Sequence, residues 1–262
     1  MKVCNLGSGS DGNLTYIATN KVKILIDAGL SASEITKRLE LLNVQPQDID
    51  AILITHEHTD HIKGIDVFAS KYHTKIYVHN KGLWALKEKL KRTDQISFMP
   101  FDDLDFVIGD LQVSNFPLSH DAEYCTGYSF MENTKKVSIL TDLGYSNDEI
   151  LSKIQGSVLV YLEANHDVDM LKNNVSYPFM LKQRILGKYG HLSNNQAAEV
   201  ILNLVQSGTK QIMLSHLSTE NNTPDLAYGS ICAYLKERGI EEGKHIKIAC
   251  TSIYPSFVFN VE

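Results

Sequence analysis

The sequence predicts an α/β protein in which two β sheets pack together and are covered by helices. Short apolar runs bounded by polar turns recur along the chain and are typical of buried strands. Segments with apolar residues at helical spacing lie between many of these runs. The 262 residues, 43% of them hydrophobic, can bury a sizeable core. We therefore expect residues 1–262 to form a single layered domain.

The first half of the chain alternates strands with helices. A hairpin is expected around Asn20, and Ser31 with Glu34 has the spacing of a capping box that opens a helix. A second helix should follow His61. The predicted strands are Lys2–Leu6, Leu14–Thr19, Val22–Asp27, Ile49–Thr55 and Lys75–Val78, and the next predicted helix is Lys81–Leu90.

The second half repeats this rhythm more loosely. No Pro/Ser-rich linker interrupts it. The predicted strands are Phe106–Ile108, Leu111–Phe116, Gly127–Glu132, Lys136–Thr141, Val158–Leu162, Gln211–Ser215, Ile246–Cys250 and Phe257–Asn260. The predicted helices are Met180–Leu186, Asn194–Val205 and Ala227–Arg238.

Composition and charge exclude several classes of protein. The formal net charge of −6 excludes a wholly basic nucleic-acid coat, although a local basic groove remains compatible with it. No two of the four cysteines form a CxxC motif. This favours reduced thiols in a cytoplasmic protein. The N-terminus has no apolar secretion segment, and no apolar run approaches the ~20 residues of a membrane span. We expect a cytoplasmic protein that does not enter a membrane.

The strongest chemical signal is the segment Thr55–His61. It follows the apolar run Ala51–Ile54, so its polar residues should lie in a loop at the carboxyl end of a buried strand. Imidazole and carboxylate groups at this density are typical of zinc, iron or manganese sites. Four ligands in six residues do not all suit one ion, which favours two ions. The candidate ligands of this segment are His56, His58, Asp60 and His61.

Three later strands end in single ligand-type residues. The candidates are His120, Asp142 and His216, each placed directly after an apolar run. An isolated histidine of this kind is more often a hydrogen-bonded structural residue than a ligand. The cluster at residues 56–61 reverses that expectation and makes metal binding the favoured interpretation.

Three further polar segments are candidates for binding a phosphate. Glycines and hydroxyls in the opening loop could cradle an anion, although an ordinary turn explains them as well. The segment 163–167 follows an apolar strand, and either substrate contact or structural capping would explain it. His191 precedes a helix N-terminus, where anions are favoured. The candidate residues are Ser8, Ser10, Asn13, Asn165, His166, His191 and Ser193.

The pattern His56-x-His58-x-Asp60-His61, together with Val22–Gly29, resembles the motifs of the metallo-β-lactamase superfamily. This resemblance implies a four-layer αββα sandwich with two divalent metal ions. It implies that His56, His58 and His120 hold one ion and that Asp60, His61 and His216 hold the other. It further implies that Asp142 bridges the ions and that Asp27 orients ligands without binding metal.

Segments such as GSGSDGN, THEHTDHIKG and GHLSN are similar to the YycJ (WalJ) group of bacterial proteins within this superfamily. That resemblance implies a 5′ to 3′ DNA exonuclease with a role in repair, using Mn²⁺ or Zn²⁺. DNA, or RNA, would be the substrate. The expected reaction is attack on phosphorus by a hydroxide that two cations activate. Asp60 would orient it or accept its proton, and His191 would hold a phosphate oxygen or protonate the leaving group.

Two other function classes remain open at this point. A small-molecule hydrolase of the same fold, such as a thioesterase or lactonase, would carry the same ligands. Redox di-iron proteins of this fold tend to have Glu in place of the second histidine, and His58 argues against that class. A binding module without activity is disfavoured by the complete ligand set.

Overall fold

The computed structural model describes residues 1–255 and 259–261. The chain forms two compact units. The first comprises Met1–Asn115, Ala122–Thr126 and the residues from Ser252 onward, and the second comprises Phe116–Asp121 and Gly127–Thr251. The expectation of a single domain stays a prediction.

The first unit is built on a seven-stranded mixed sheet. Its strands are β1 (Lys2–Gly7), β2 (Leu14–Ala18), β3 (Lys23–Ile26), β4 (Ala51–Leu53), β5 (Lys75–His79), β6 (Phe98–Phe101) and β14 (Phe259–Asn260). The spatial order is β14-β1-β2-β3-β4-β5-β6, with β3 to β6 parallel to one another. The predicted hairpin is confirmed, since β2 pairs antiparallel with β3. Phe257, predicted to start the last strand, lies outside the described residues.

The helices of the first unit are α1 (Ala32–Glu40), α2 (Thr59–Ile62), α3 (Ile65–Tyr72) and α4 (Asn80–Lys89). The predicted cap of α1 is confirmed, because the Ser31 hydroxyl accepts a hydrogen bond from the Glu34 backbone N–H at 3.3 Å. The chain after His61 forms two short helices separated at Gly64. The Gly64 N–H donates a hydrogen bond to the Ala28 carbonyl at 2.8 Å. The backbone between α2 and α3 therefore turns where it contacts the segment that follows β3. Apolar side chains of α1 and α3 join those of the sheet in one buried core.

In the second unit, β10 to β13 run parallel as neighbours, and β9 pairs antiparallel with β10. The strands are β9 (Cys125–Glu132), β10 (Lys135–Leu140), β11 (Leu159–Glu163), β12 (Gln211–Ser215) and β13 (Lys247–Cys250). Strands β7 (Phe106–Ile108) and β8 (Leu111–Leu118) pair antiparallel with each other.

The helices of the second unit are α5 (Asp148–Ile154), α6 (Val168–Asn173), α7 (Phe179–Leu186), α8 (Asn194–Gln206) and α9 (Pro224–Lys236). Ser193 and Gln196 form the predicted capping box at the start of α8. The expectations did not include β6, α5 or α6. Pro100 lies within β6 and argues against a strand, while α5 and α6 have seven and six residues, too few for a clear helical period. None of the helices in the described part of the chain combines enough length and apolarity to cross a lipid bilayer.

Candidate metal centre

Strand ends position the candidate ligands in each unit. Because β10, β11 and β12 are parallel neighbours, the residues that follow them, including Asp142 and His216, lie at one edge of the sheet. Asp27, Asp142 and His216 all adopt left-handed backbone conformations, with φ of 61°, 62° and 56°. Non-glycine residues rarely adopt this conformation, and such strain is concentrated at functional sites.

The first unit brings together the four candidates of the loop after β4. His56 contacts both neighbouring imidazoles, with ring centroids 4.5 Å from His58 and 4.1 Å from His61. Asp60 and His61 lie in the single turn of α2, where Asp60 Oδ2 is 3.3 Å from His61 Nε2. His61 is fully buried, whereas the Asp60 side chain is 26% exposed. This loop therefore forms one compact set of ligand-type groups.

Asp27 supports this loop from the end of β3. Its Oδ2 lies 2.7 Å from His61 Nδ1, and its Oδ1 accepts a hydrogen bond from the Thr55 backbone N–H at 2.9 Å. The Thr55 hydroxyl lies 3.0 Å from His56 Nδ1 and also contacts the Asp27 carboxylate. Burial raises the pKa of Asp27, while the charge of His61 opposes this effect. Asp27 and Thr55 together hold two imidazole rings in fixed orientations.

The opening loop contacts the same ligands. The Asn13 amide nitrogen lies 3.0 Å from His61 Nε2 and 3.3 Å from Asp60 Oδ2, and the Asn13 backbone N–H donates to the Asp60 carbonyl at 2.8 Å. Ser8 is buried, and Ser10 is exposed. The structure thus places Asn13 beside two candidate ligands and leaves Ser10 accessible to solvent.

The second unit brings together His120, Asp142 and His216. Asp142 Oδ1 lies 3.6 Å from His120 Nε2 and 3.5 Å from His216 Nδ1. All three residues are buried. Burial lowers the pKa of His120, which favours the neutral imidazole that a metal ion requires.

Glu163 is the buried carboxylate at the centre of this second set. Its Oε1 lies 2.8 Å from Nδ1 of His191 and 2.8 Å from Nδ1 of His216. Burial alone would raise the pKa of Glu163, but the two imidazoles hold it below its ordinary value. Burial alone would lower the pKa of His191, but Glu163 and Asp142 raise it above its ordinary value. His191 is therefore biased toward its charged, proton-donating form.

The remaining sequence candidates in the second unit, Asn165, His166 and Ser193, are buried. The Asn165 amide donates to the backbone carbonyl of His216 at 2.9 Å, which steadies that left-handed residue. Ser193 caps α8. His166 is 1% exposed, and neither ring nitrogen has a hydrogen-bond partner among the described residues. His191, with 17% of its side chain exposed, is the accessible member of this group.

The histidine and carboxylate donors of the candidate ligands suit a divalent metal ion. In His56, His61, His120 and His216, Nδ1 faces an oxygen at 2.7–3.1 Å, supplied by Thr55, Asp27, Gly190 and Glu163 respectively. A proton held at Nδ1 leaves the lone pair on Nε2, the arrangement found around metal-binding histidines. Asp142, Glu163, His191 and His216 offer ligand atoms that all lie within 4.8 Å of one another.

Sequence reasoning missed two supporting residues. Thr55 had no assigned role, although its position between a strand and His56 was a possible signal. Glu163 was considered for substrate contact or capping, but its side chain is fully buried and orients two histidines. Its place directly after an apolar strand is the same signal that identified Asp142.

Comparison with known proteins identifies the family. Residues 22–217 match the family model for the β-lactamase superfamily domain. The chain belongs to this superfamily. It is 40% identical over 251 residues to exodeoxyribonuclease WalJ of Streptococcus pneumoniae serotype 2 strain D39, covering 94% of this chain and 93% of that protein. It is 38% identical over 245 residues to exodeoxyribonuclease YycJ of Bacillus anthracis, covering 93% and 92%. Within the superfamily, the chain therefore belongs to the WalJ/YycJ family, and the predicted resemblance is confirmed.

Solved structures confirm the fold class. The metallo-β-lactamase fold protein YhfI of Bacillus subtilis has a TM-score of 0.74 at 16% identity and covers 98% of both chains. Zn²⁺-bound PqqB of Methylobacterium extorquens has a TM-score of 0.76 at 13% identity, covering 99% of this chain and 100% of that one. At these identities the likeness shows the fold alone.

Proposed function

We propose that this protein is a metal-dependent exodeoxyribonuclease that degrades DNA from 5′ to 3′ and acts in DNA repair. The observation that carries the proposal is the 40% identity to exodeoxyribonuclease WalJ along 94% of the chain. The ligand-type groups at the strand ends of both units support it. The lack of a CxxC motif among the four cysteines supports a reducing, cytoplasmic location.

The proposed centre holds two divalent ions, Mn²⁺ or Zn²⁺. One ion would be held by His56, His58 and His120, and the other by Asp60, His61 and His216, with Asp142 shared between them. Bound divalent ions neutralise charge on a phosphodiester and lower the pKa of water. Asp27, Thr55 and Glu163 would keep the imidazole rings in their ligand orientations.

Two residues are proposed to move protons. Asp60 is partly exposed beside His61, so its carboxylate can accept a proton from the attacking water. His191 is held by Glu163 with its pKa raised, so its imidazolium can contact a phosphate oxygen or protonate the leaving oxygen. The exposed Ser10, with Ser8 and Asn13 in the same loop, is proposed to contact substrate phosphate. Asn165, His166 and Ser193 would act from within the fold by supporting the segments around His191 and His216.

Digestion of end-labelled DNA and RNA tests this function. We expect loss of nucleotides from the 5′ end of DNA in the presence of Mn²⁺ or Zn²⁺, and loss of activity after removal of metal by a chelator. The test should include single- and double-stranded substrates with and without a 5′ phosphate. Release of nucleotides from the 3′ end, or activity on RNA alone, would contradict the proposal.

A small-molecule hydrolase of the same fold is the alternative. Parallel assays with bis-p-nitrophenyl phosphate and a thioester, each with manganese and zinc, separate the two. Turnover of the phosphodiester supports the nuclease, and turnover of the thioester alone supports the alternative.

A further inference from the structure

We propose that the outer face of α7, together with Tyr189, binds an unpaired segment of the DNA substrate next to His120 and His191. This α7 face consists of Phe179, Met180, Gln183 and Arg184. The inference rests on the proposed exonuclease function and names the surface that receives the strand.

The α7 face is unusually exposed for a surface rich in large apolar residues. No residue of α7 is buried. Phe179 is 71% exposed and Met180 is 75% exposed, and Tyr189, just beyond the helix, is 64% exposed. Exposed apolar side chains that cluster in this way mark binding surfaces, because a monomer gains nothing from leaving them in water.

The charge around α7 is complementary to nucleic acid. The 23 residues from Met170 to Leu192 contain four Lys or Arg and no Asp or Glu, in a chain whose formal net charge is −6. The basic residues are Lys172, Lys182, Arg184 and Lys188. Positive charge interleaved with aromatic rings is the arrangement that binds single strands, where bases stack on rings and phosphates pair with cations.

The α7 face is connected to the candidate centre within the second unit. The Arg184 guanidinium contacts the Asp121 carboxylate, and Asp121 Oδ1 lies 3.2 Å from His120 Nε2. The Tyr189 carbonyl accepts a hydrogen bond from the Asp121 N–H at 3.1 Å. The His191 N–H donates to the Ile185 carbonyl at 3.0 Å. A strand lying on the α7 face therefore leads directly to residues proposed to act on the scissile phosphate.

A second copy of this chain is the competing occupant. An interface between identical copies would bring the basic segments of two α7 helices together without acidic partners in that segment. Arg184 already contacts Asp121, but the phosphates of DNA can neutralise the lysine charges of this segment, and its bases can stack on the aromatic rings, so the observations favour the unpaired strand.

Fluorescence anisotropy with a labelled oligothymidylate tests the inference in the presence of a chelator, so that binding is measured without cleavage. Alanine substitution of a stacking residue weakens single-strand binding by roughly 1–3 kcal/mol, or about fivefold to 150-fold in Kd. We expect Phe179→Ala and Tyr189→Ala each to raise Kd within this range. Leu104→Ala, which removes a 78% exposed apolar side chain in the first unit, should leave Kd unchanged.

Lys188→Gln gives an independent measurement at the basic residue that precedes Tyr189. Loss of one phosphate contact should reduce the slope of log K against log salt concentration by about 0.7 for a single strand. The Lys188 side chain is exposed, and its backbone carbonyl still accepts the Ser119 hydroxyl hydrogen bond in the variant. An unchanged slope would overturn the phosphate contact.

Two further assays separate this inference from the proposed function. Phe179→Ala/Tyr189→Ala should hydrolyse bis-p-nitrophenyl phosphate at the wild-type rate, because that substrate is too small to need the α7 face. If wild-type protein degrades DNA and the double variant binds oligothymidylate equally well, the inference fails and the proposed function stands. The contrary outcome is that light scattering shows a dimer for the wild type and a monomer for the double variant, with DNA binding retained. In that case a second copy of the chain occupies the surface, and the inference is overturned. If wild-type protein degrades no DNA at all, the proposed function fails, and the inference fails with it.

Discussion

The Oε1 oxygen of Glu163 lies 2.8 Å from Nδ1 of His191. The same oxygen is 2.8 Å from Nδ1 of His216, and Oε2 accepts hydrogen bonds from the N–H groups of Leu143 and Leu192 at 2.9 and 3.1 Å. One buried carboxylate therefore orients a candidate ligand and a candidate proton donor. Asp27 has a comparable place in the first unit, where it holds His61 and Thr55.

Substitution of Glu163 should weaken both metal binding through His216 and proton donation by His191. Glu163→Gln keeps the size of the side chain and removes its charge, so metal affinity or activity should fall roughly 10- to 100-fold. The pKa of His191 should fall because the charge that raises it is lost. If His191 acts as an acid, the alkaline limb of the kcat/KM profile should move to lower pH. Metal analysis and pH–rate profiles measure the two effects.

The matched control for Glu163→Gln is Glu199→Gln, which neutralises an exposed carboxylate on α8 in the same unit. It should leave metal content and the pH profile unchanged. Wild-type metal content and an unshifted profile in Glu163→Gln would contradict the assigned role.

Asp60 is expected to be essential. Asp60→Ala removes a candidate ligand and proton acceptor 3.3 Å from His61 Nε2, so DNA hydrolysis should fall by roughly 10²- to 10⁴-fold. The occupancy of one metal should fall as well. Rate assays and metal stoichiometry check this, with the exposed Asp94→Ala as control. Full activity in Asp60→Ala would show that its placement in the mechanism is wrong.

Gly29 allows the opening loop to approach the ligand loop. A Cβ at Gly29 would overlap the backbone carbonyl of Asp60 and lie 2.6 Å from the Asn13 nitrogen. Gly29→Ala must displace both segments, so we expect a loss of stability of about 1–3 kcal/mol and at least a tenfold loss of activity. Thermal unfolding and DNA hydrolysis measure these effects.

Gly229 is the matched control for Gly29. It lies in α9, and beyond its chain neighbours and the adjacent backbone of its own helix no described heavy atom lies within 4 Å of an added Cβ. Gly229→Ala should raise stability by about 0.5–1 kcal/mol and leave activity unchanged, because alanine favours a helix interior. Equal effects of the two substitutions would refute the close-approach argument.

His166 should make stability depend on pH. Burial lowers the pKa of His166 from its ordinary value of 6.5 to about 4. Between these values the unfolded chain binds the proton more readily than the folded protein, so stability falls as pH drops from 6.5 toward 4. At pH 5 this contribution amounts to roughly 2 kcal/mol.

Urea unfolding of wild-type protein and His166→Gln at pH 7.5 and pH 5 measures this contribution. The wild type should lose about 2 kcal/mol more than the variant over this interval, because glutamine does not titrate. Equal losses in both proteins would show that His166 is not the responsible group.

Local sequence patterns predicted most strands, the caps of α1 and α8, and the groups at strand ends that could hold a metal. Sequence was sufficient for these features because the residues that define each of them are contiguous in the chain, as in an apolar run followed directly by ligand-type residues. The break between α2 and α3 at Gly64 was not predicted, since it depends on a hydrogen bond to Ala28. The Pro100 strand and the short helices α5 and α6 lacked the periodicity on which prediction relies.

The sequence by itself determined the type and order of the candidate ligands and the superfamily resemblance. Only the tertiary structure decided which groups support them. The Glu163 carboxylate meets imidazoles that are 28 and 53 positions away along the chain, and Asn13 meets Asp60 across 47 positions. Such contacts depend on how distant segments pack, because a hydrogen bond requires atoms within about 3 Å and sequence spacing does not specify that distance.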